Sequence, residues 1–492
     1  MDTFDYDLQT VQDVRNLARQ AKAAQEQLTK FNADQIDRIL QSMVRAAEEN
    51  AVTLARMAVE ETGFGKVEDK VMKNRVASTD LYQYIKPMKT TGVIREDTTN
   101  RITEIAEPVG VLMGIIPSTN PTSTTIYNAM IAVKARNTII FSPHPSALKC
   151  TVEAARLMAQ AAEAAGAPAH TIGCITKPSM PATNELMHSD EVKMIIATGG
   201  SGMVKAAYSA GKPALGVGPG NGPSYIERTA DIAKSVQDIM VSKTFDYGTI
   251  CASEQSIIVE ECNRSQVIEE FKRRGGYFMT KEETDKVCQL LFSHGHDMNA
   301  KFVGRSPQVI AASAGITIPA GTQVLIGEQT GVGEGYPLSY EKLTSVLGFY
   351  TVRDWSEACD LCIRLLNNCG LGHTMSLHTE DPEIVRRFSE KPVFRILVNT
   401  PATQGGTGIS TGLAPAFTLG CGTWGGSATS DNVTPMHLIN IKRVAYGIRE
   451  ITPQMPAQMP IAAGMSPASV DDAQIMSVVN EVLQLLKQKG EF

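Results

Sequence analysis

Apolar residues recur at helical spacing near the start of the chain. Ile36, Ile39, Leu40, Met43 and Val44 fall at i, i+3, i+4, i+7 and i+8, which is one face of a helix. Residues 8–57 as a whole read as helical, and a further helix is expected over 65–85. The pattern changes at TEIAEPVGVLMGIIP (103–117). This stretch is β-branched and apolar, stops at Pro117, and reads as strands entering a sheet. A helix is expected from Thr122 to Ala135, then a short buried strand, NTIIFSP (137–143), then a helix over 146–165 closed by Gly166. VKMIIATGG (192–200) reads as a strand running into glycines, and SGMVKAAYSAG (201–211) as a helix with a glycine stop. After residue 300 strands are expected at 323–329, 346–352, 374–379 and 395–400, with helices at 355–367 and 382–389. Strands alternating with helices predict parallel sheets, because parallel neighbours need helical crossovers. The expectation is an α/β fold in two halves with a boundary near 242–250 and no internal repeat.

The end of the chain breaks this rhythm. ITPQMPAQMPIAAGMSPAS (451–469) carries four prolines among Ala, Met and Ser, and reads as a linker. Beyond it Ile475, Val478, Val479, Val482, Leu485 and Leu486 form one helical stripe. Asp471 and Asp472 suit the start of that helix, and Lys487 and Lys489 its end. A short amphipathic helix on a leash is expected to be a docking element.

Composition narrows the classes. The chain has 492 residues, 20% charged and 43% hydrophobic, with a net charge of −6. The acidic balance argues against a nucleic-acid partner. No apolar run approaches the ~18 residues of a membrane span, and the polar start MDTFDYDLQT does not read as a secretory signal. Nine cysteines, odd in number and irregular in spacing, do not make a secreted disulfide framework. A reducing cytosol fits them better. Cys359 and Cys362 form a Cys-x-x-Cys pair on an expected amphipathic helix with no second pair to complete a zinc site. They read as packed thiols, and no metal is expected.

Four places carry candidate chemistry. Cys251, in DYGTICASEQS, stands where a turn with Gly248 runs into a strand; it reads either as a nucleophile or as a buried thiol. Asn120, in GIIPSTNPTS, lies just past a strand between Pro117 and Pro121. It reads either as an oxyanion donor or as a plain Asx-Pro turn. ATGGSGMVKAA sets glycines between a strand and a helix, where backbone N–H groups can face a phosphate. It is not the G-x-G-x-x-G fingerprint, and GFGKV (63–67) is not a phosphate loop. His373, in NCGLGHTMSLHT, lies between a glycine turn and a strand and can reach a cleft, or cap the core. His294 and His296 read as a polar surface loop.

Together these segments resemble the aldehyde dehydrogenase superfamily, and most closely its CoA-acylating branch, as in the N-terminal half of bifunctional aldehyde–alcohol dehydrogenases. The resemblance rests on IIPSTNPTS, RNTIIFSPHPSA, LMHSDEVKMIIATGGSGMVKAAYSAGKPALGVGPGN, SKTFDYGTICASEQS, YEKLTSVL, GLGHT, LVNTPATQGGTG and LAPAFTLGCGTWGG. These occur in family order over residues 8–445. It implies two Rossmann-like α/β domains with a small oligomerisation arm. The cofactor-binding domain would be 1–243, with part of the arm near 95–110. A catalytic domain over 244–425, an oligomerisation segment over 426–450, a linker over 451–470 and a terminal helix over 471–489 would follow.

The resemblance also implies roles. Cys251 matches the nucleophile and Asn120 the oxyanion-hole amide. Thr198, Gly199, Gly200, Ser201 and Gly202 match the loop at the cofactor pyrophosphate. Glu341 matches the residue that holds the nicotinamide ribose. His373 takes the histidine position of the acylating branch, where it would deprotonate CoA. Two departures carry information. Where hydrolytic members have a Glu that activates water, this chain has Val217, so a cysteine thioester would wait for CoA. Where many members have a Lys at the adenosine ribose, this chain has Ser142 and His144, which do not choose between NAD and NADP; branch resemblance favours NAD. The activity implied is reversible oxidation of a short aldehyde, acetaldehyde first and propionaldehyde next, to acyl-CoA. The rivals are a hydrolytic dehydrogenase giving free acid, a redox-free cysteine acyltransferase or hydrolase, and a scaffold. A homo-oligomer is implied. The tail resembles the encapsulation peptides that direct enzymes to the shell proteins of bacterial microcompartments, so the expected location is the cytoplasm, inside such a compartment. A helix that packs on its own oligomer is the other reading.

Overall fold

The first apolar stretches form helices Tyr6–Leu28, Ala33–Glu49 and Ala51–Thr62. Asn32 and Gln35 close a capping box at the start of the second, and its buried face is Ile36, Ile39, Leu40, Met43 and Ala47. The helix expected over 65–85 is Val67–Arg75, a π-helical turn Val76–Asp80, and Leu81–Ile85. The computed structural model of the protein describes residues 5–292, 295–451 and 471–488. His294, Lys489 and all but the first residue of the expected linker lie outside them.

Strands β1 (Gly92–Asp97) and β2 (Ile102–Pro108) pair antiparallel. Strands β3 (Val111–Ile116), β4 (Ile139–Pro143), β5 (Ile172–Cys174), β6 (Val192–Thr198) and β7 (Ala214–Val217) form a parallel five-stranded sheet ordered β5-β4-β3-β6-β7. The 103–117 stretch is therefore divided between two sheets. Gly110 takes a φ of +127°, which redirects the chain between β2 and β3. β3 and β4 are buried throughout, as parallel strands covered on both faces must be. Leu112 and Ile116 face the core shared with helices Pro121–Lys134 and Leu148–Ala164. Val111, Met113 and Ile115 face Val14, Ala18 and Ala21 of the first helix.

Strands β8 (Gly222–Ile226), β9 (Glu254–Glu260), β10 (Gly276–Phe278), β11 (Val324–Glu328), β12 (Val346–Val352), β13 (Gly372–His378) and β14 (Val393–Val398) form a parallel seven-stranded sheet ordered β10-β11-β12-β9-β8-β13-β14. The chain thus passes between the sheets from Val217 to Gly222, earlier than the 242–250 expected. β8 begins Gly-Pro and is only five residues long, so its pattern does not announce a strand. β15 (Ile439–Ala445) joins β2 to complete a three-stranded sheet, built from the region expected to supply the oligomerisation arm.

Two units are distinguished: Met1–Asp97 with Ile102–Val444, and Thr98–Arg101 with Ala445–Phe492. Both large sheets lie in the first. In the second, the Tyr446 N–H donates to Arg101 O at 3.2 Å, and helix Asp472–Gln488 exposes its apolar stripe. No described helix is long and apolar enough to cross a membrane.

In the five-stranded sheet, the first strand in sequence, β3, is central, and later strands are added on either side. The strand order reverses between β3 and β6, and such switch points open a crevice at the carboxyl ends of the strands. Asn120 follows β3 and Thr198 ends β6. Cys251 precedes β9, and His373 is the second residue of β13. The candidate residues therefore lie at the carboxyl edge of one sheet and the amino edge of the other.

Candidate active site

Helix Ile232–Thr244 leads toward Cys251 through an unusual turn. Asp246, Tyr247 and Gly248 have φ of 50°, 51° and 71°, three left-handed residues in a row. For non-glycine residues this conformation costs about 1–3 kcal/mol each. The turn is held through Asp246. Its carboxylate accepts the Lys66 N–H at 2.7 Å, the Lys70 ammonium at 2.9 Å, the Thr249 hydroxyl at 2.8 Å and the Lys73 ammonium. Burial alone would raise this carboxyl, but Lys70 and Lys73 outweigh it and hold it below its ordinary value. Only glycine fits at 65 and 220: a Cβ would lie 1.8 Å from Asp246 Oδ1 and 1.9 Å from Cys251 O respectively. The LGVGPGN segment is thereby pressed against the backbone of Cys251.

The Cys251 thiol meets the His373 imidazole, with Sγ 3.1 Å from Nε2. Nδ1 of the same ring is 2.8 Å from the Thr374 hydroxyl. Burial draws His373 down to about 3, and the Arg395 guanidinium adds to the effect. Burial pushes Cys251 up to about 12; the Glu341 carboxyl adds to this, while Arg395 opposes it. The resting pair is therefore a neutral thiol beside a neutral imidazole, and a thiolate arises only as the proton moves onto Nε2. Arg395 is buried and fixed by the carbonyls of His373 (3.2 Å) and Gly420 (2.8 Å) and by Asn432 Oδ1 (2.7 Å). Glu341 accepts the Gly220 N–H at 2.9 Å, and burial raises it to about 7.

Asn120 stands at the N-cap of helix Pro121–Lys134, with Pro121 at the first helical position. An N-cap Asn ordinarily accepts a backbone N–H, but this one makes no such bond. Its Oδ1 accepts from Lys73 Nζ at 2.6 Å, and its Nδ2 lies 3.1 Å from Thr119 Oγ1 and 3.5 Å from Thr249 O. His373 thus touches the Cys251 thiol, Glu341 bonds the Gly220 that packs on the Cys251 backbone, and the Asn120 amide lies beside the carbonyl of Thr249, two residues before Cys251. Lys70, Lys73, Asp246 and Arg395 belong to the same cluster, and sequence reading did not find them. Lys73 and Asp246 are 173 residues apart; the only local signal is the i, i+3 spacing of the two lysines.

Thr198 ends β6 beside Val217 of β7, and its hydroxyl is 3.3 Å from that of Thr418. A Cβ built on Gly199, Gly200 or Gly202 meets nothing within 4 Å, and helix Ser201–Ser209 has no side-chain cap. The loop therefore offers backbone N–H groups in open space, which suits a pyrophosphate. The Ser142 hydroxyl is 3.1 Å from Thr183 Oγ1. His144 is exposed and accepts the Ser146 N–H. Cys359 and Cys362 are buried in the core under helix Trp355–Asn367, and His296 is exposed with its ring 4.7 Å from that of Tyr340.

A thiol, a facing imidazole and an amide beside a Rossmann-type crevice define a class, and the comparisons agree with it. The profile of the aldehyde dehydrogenase family matches residues 3–290, and the chain belongs to that family. It is 45% identical over 469 residues to the bifunctional aldehyde-alcohol dehydrogenase of Escherichia coli (strain K12), covering 94% of this chain and 52% of that protein. The chain spans about half the length of the first curated relatives it matches. An acetylating aldehyde dehydrogenase from Geobacillus thermoglucosidasius is 56% identical with a TM-score of 0.90, covering 91% of this chain and 99% of that one. A propionaldehyde dehydrogenase from Rhodopseudomonas palustris, solved with CoA bound and a cysteine acylated, is 27% identical with a TM-score of 0.79, covering 88% of this chain and 97% of that one.

Proposed function

We propose that the protein is a CoA-acylating aldehyde dehydrogenase, converting a short aldehyde, CoA and a nicotinamide cofactor reversibly to acyl-CoA. One observation carries the reading. The Cys251 thiol lies 3.1 Å from an uncharged imidazole, while the position matched to the water-activating Glu is Val217, buried at the end of β7. Cys251 attacks the carbonyl as its proton moves to His373. The Asn120 amide and the Cys251 backbone N–H hold the oxyanion; one such donor contributes about 2.7–4 kcal/mol. A nicotinamide cofactor, when bound, accepts the hydride. Thr198, Gly199, Gly200, Ser201 and Gly202 would hold its pyrophosphate, and Glu341 its ribose, through the carboxylate oxygen that Gly220 leaves free. His373 gives up the proton it took from Cys251 to solvent and then takes the proton of the CoA thiol, whose sulfur attacks the thioester carbonyl and expels Cys251 as thiolate, which recovers its proton from the imidazolium. With a valine at 217 in place of a carboxylate, water competes poorly. NAD is favoured over NADP by branch resemblance, and acetaldehyde is the first substrate to test.

The deciding assay follows NADH formation from acetaldehyde and propionaldehyde with and without CoA. Sustained turnover only with CoA, yielding acyl-CoA, is expected; without CoA a single enzyme-equivalent of NADH should form. Steady NADH formation with free acid and no CoA requirement would favour the hydrolytic rival. Acyl transfer without NADH would favour the redox-free one.

In this proposal the five-stranded half is the cofactor domain, within 1–243, and 244–425 is the catalytic domain, which β8 joins through its sheet. A homo-oligomer is supported by the exposed Val93, Ile441 and Val444 of the three-stranded sheet. Helix Asp472–Gln488 is proposed as an encapsulation peptide. Its Ile475, Val478, Val479, Val482 and Leu485 are each roughly half exposed and need a partner surface. Residues 451–492 fused to a fluorescent protein are expected to form puncta in cells that assemble the matching shell. Diffuse fluorescence there would favour a helix that packs on its own oligomer.

A further inference from the structure

We propose that Lys73 is a positioning residue that fixes which end of the Asn120 amide faces the reacting carbonyl. The inference rests on the oxyanion role of Asn120 given above. The two ends of an Asn side chain are nearly equal in size, and hydrogen bonding chooses between them. At Asn120 that choice belongs to Lys73. An ammonium donates three hydrogen bonds and accepts none. The three from Lys73 go to Asn120 Oδ1 (2.6 Å), Thr249 Oγ1 (3.0 Å) and Asp246 Oδ2. Only an amide oxygen can meet it there, so Nδ2 is left on the side of Thr119 Oγ1 and the Thr249 carbonyl. The flipped amide would set an NH₂ group against an ammonium.

The surroundings keep this arrangement rigid. Lys73 is 1% exposed and lies over the Phe245 ring. Lys70, one turn back on the same helix, donates to Asp246 at 2.9 Å and to Thr119 O at 2.9 Å, which pins the residue before Asn120. Two ammoniums share one carboxylate, so positive charge remains beside Oδ1. That charge draws electron density toward the oxygen and makes the N–H groups of Nδ2 better donors to a developing oxyanion. The absent N-cap bond has the same cause: an Oδ1 held by Lys73 does not turn to the helix N–H groups. One carboxylate, Asp246, thus holds both the turn that presents the nucleophile and the cation that orients the amide.

The test is a double-variant cycle of Lys73→Met and Asn120→Ala on the full chain. Asp246 keeps Lys70 and the Lys66 N–H, so Lys73→Met leaves no carboxylate unpaired. Asn120→Ala is expected to lower kcat for aldehyde oxidation about 10²–10³-fold. Lys73→Met is expected to lower it about 10- to 100-fold, with the KM for cofactor and for CoA unchanged. The double variant should be no slower than Asn120→Ala alone. NADH binding and the alkylation rate of Cys251 report the intact site and should not change. Lys73→Gln, which keeps an N–H donor without the charge, should lie between wild type and Lys73→Met. The inference is overturned by wild-type kcat in Lys73→Met, by losses that multiply in the double variant, or by a Gln variant slower than the Met variant. Wild-type kcat in Asn120→Ala would instead strike the oxyanion reading itself, and the role of Lys73 with it.

Discussion

Replacing Cys251 by alanine is expected to remove turnover by a factor on the order of 10⁴ or more, because Cys251 carries the thiol that faces the His373 imidazole. The turn Asp246–Gly248 holds this thiol against His373 at some conformational cost, and Gly220 leaves room for its backbone. Neither contact depends on the sulfur being reactive, so the variant should fold and bind cofactor normally. Mass spectrometry of the wild-type protein with aldehyde and oxidised cofactor, CoA omitted, should show one acyl group on Cys251 and none in the variant. Cys251→Ser should also lose turnover, since an oxygen ester exchanges far less readily with a thiol. Normal turnover in the serine variant, or acyl label on another residue, would refute the nucleophile assignment.

His373→Ala should produce the second-largest loss, and in both half-reactions. General-base assistance is worth about 10²–10⁴-fold, and we expect a loss of that size in transfer of the acyl group to CoA. Formation of the acyl-enzyme, read as the first enzyme-equivalent of NADH, should fall as well, because the same ring takes the Cys251 proton. Undiminished acyl-enzyme formation would show that another group takes that proton, and an undiminished CoA step that the imidazole is not its base. The pH dependence gives a second check. Burial and Arg395 draw His373 down to about 3, so falling pH does not convert it to imidazolium until well below 5. The CoA step of the wild type should therefore show no acid limb between pH 6 and 7, where an ordinary histidine protonates. A loss of rate centred there would mean that the ring titrates as a solvated one.

Much of the architecture was legible because buried parallel strands are continuous apolar runs, and crossover helices carry one apolar face. β3, β4, β6 and β12 fall where the pattern put them. β8 escaped because GPSYI opens with two residues that usually end strands. The helix over 65–85 proved to contain a π-helical turn, which side-chain periodicity does not reveal. Among candidate residues, Cys251 and His373, singled out by their places next to glycines and strand ends, meet in the structure at 3.1 Å.

The sequence by itself determined the fold class and the order of elements, because these follow from local periodicity and from motifs that keep their order. The tertiary structure alone decided the charge state and orientation of the site. Burial sets the thiol near 12 and the imidazole near 3, and burial belongs to the packed molecule. Lys73 and Asn120 lie 47 residues apart, and Lys73 and Asp246 lie 173 apart. An ion pair depends on distance in space, and no pattern along the chain records which of the protein's lysines the folded sheets will bring to a given carboxylate.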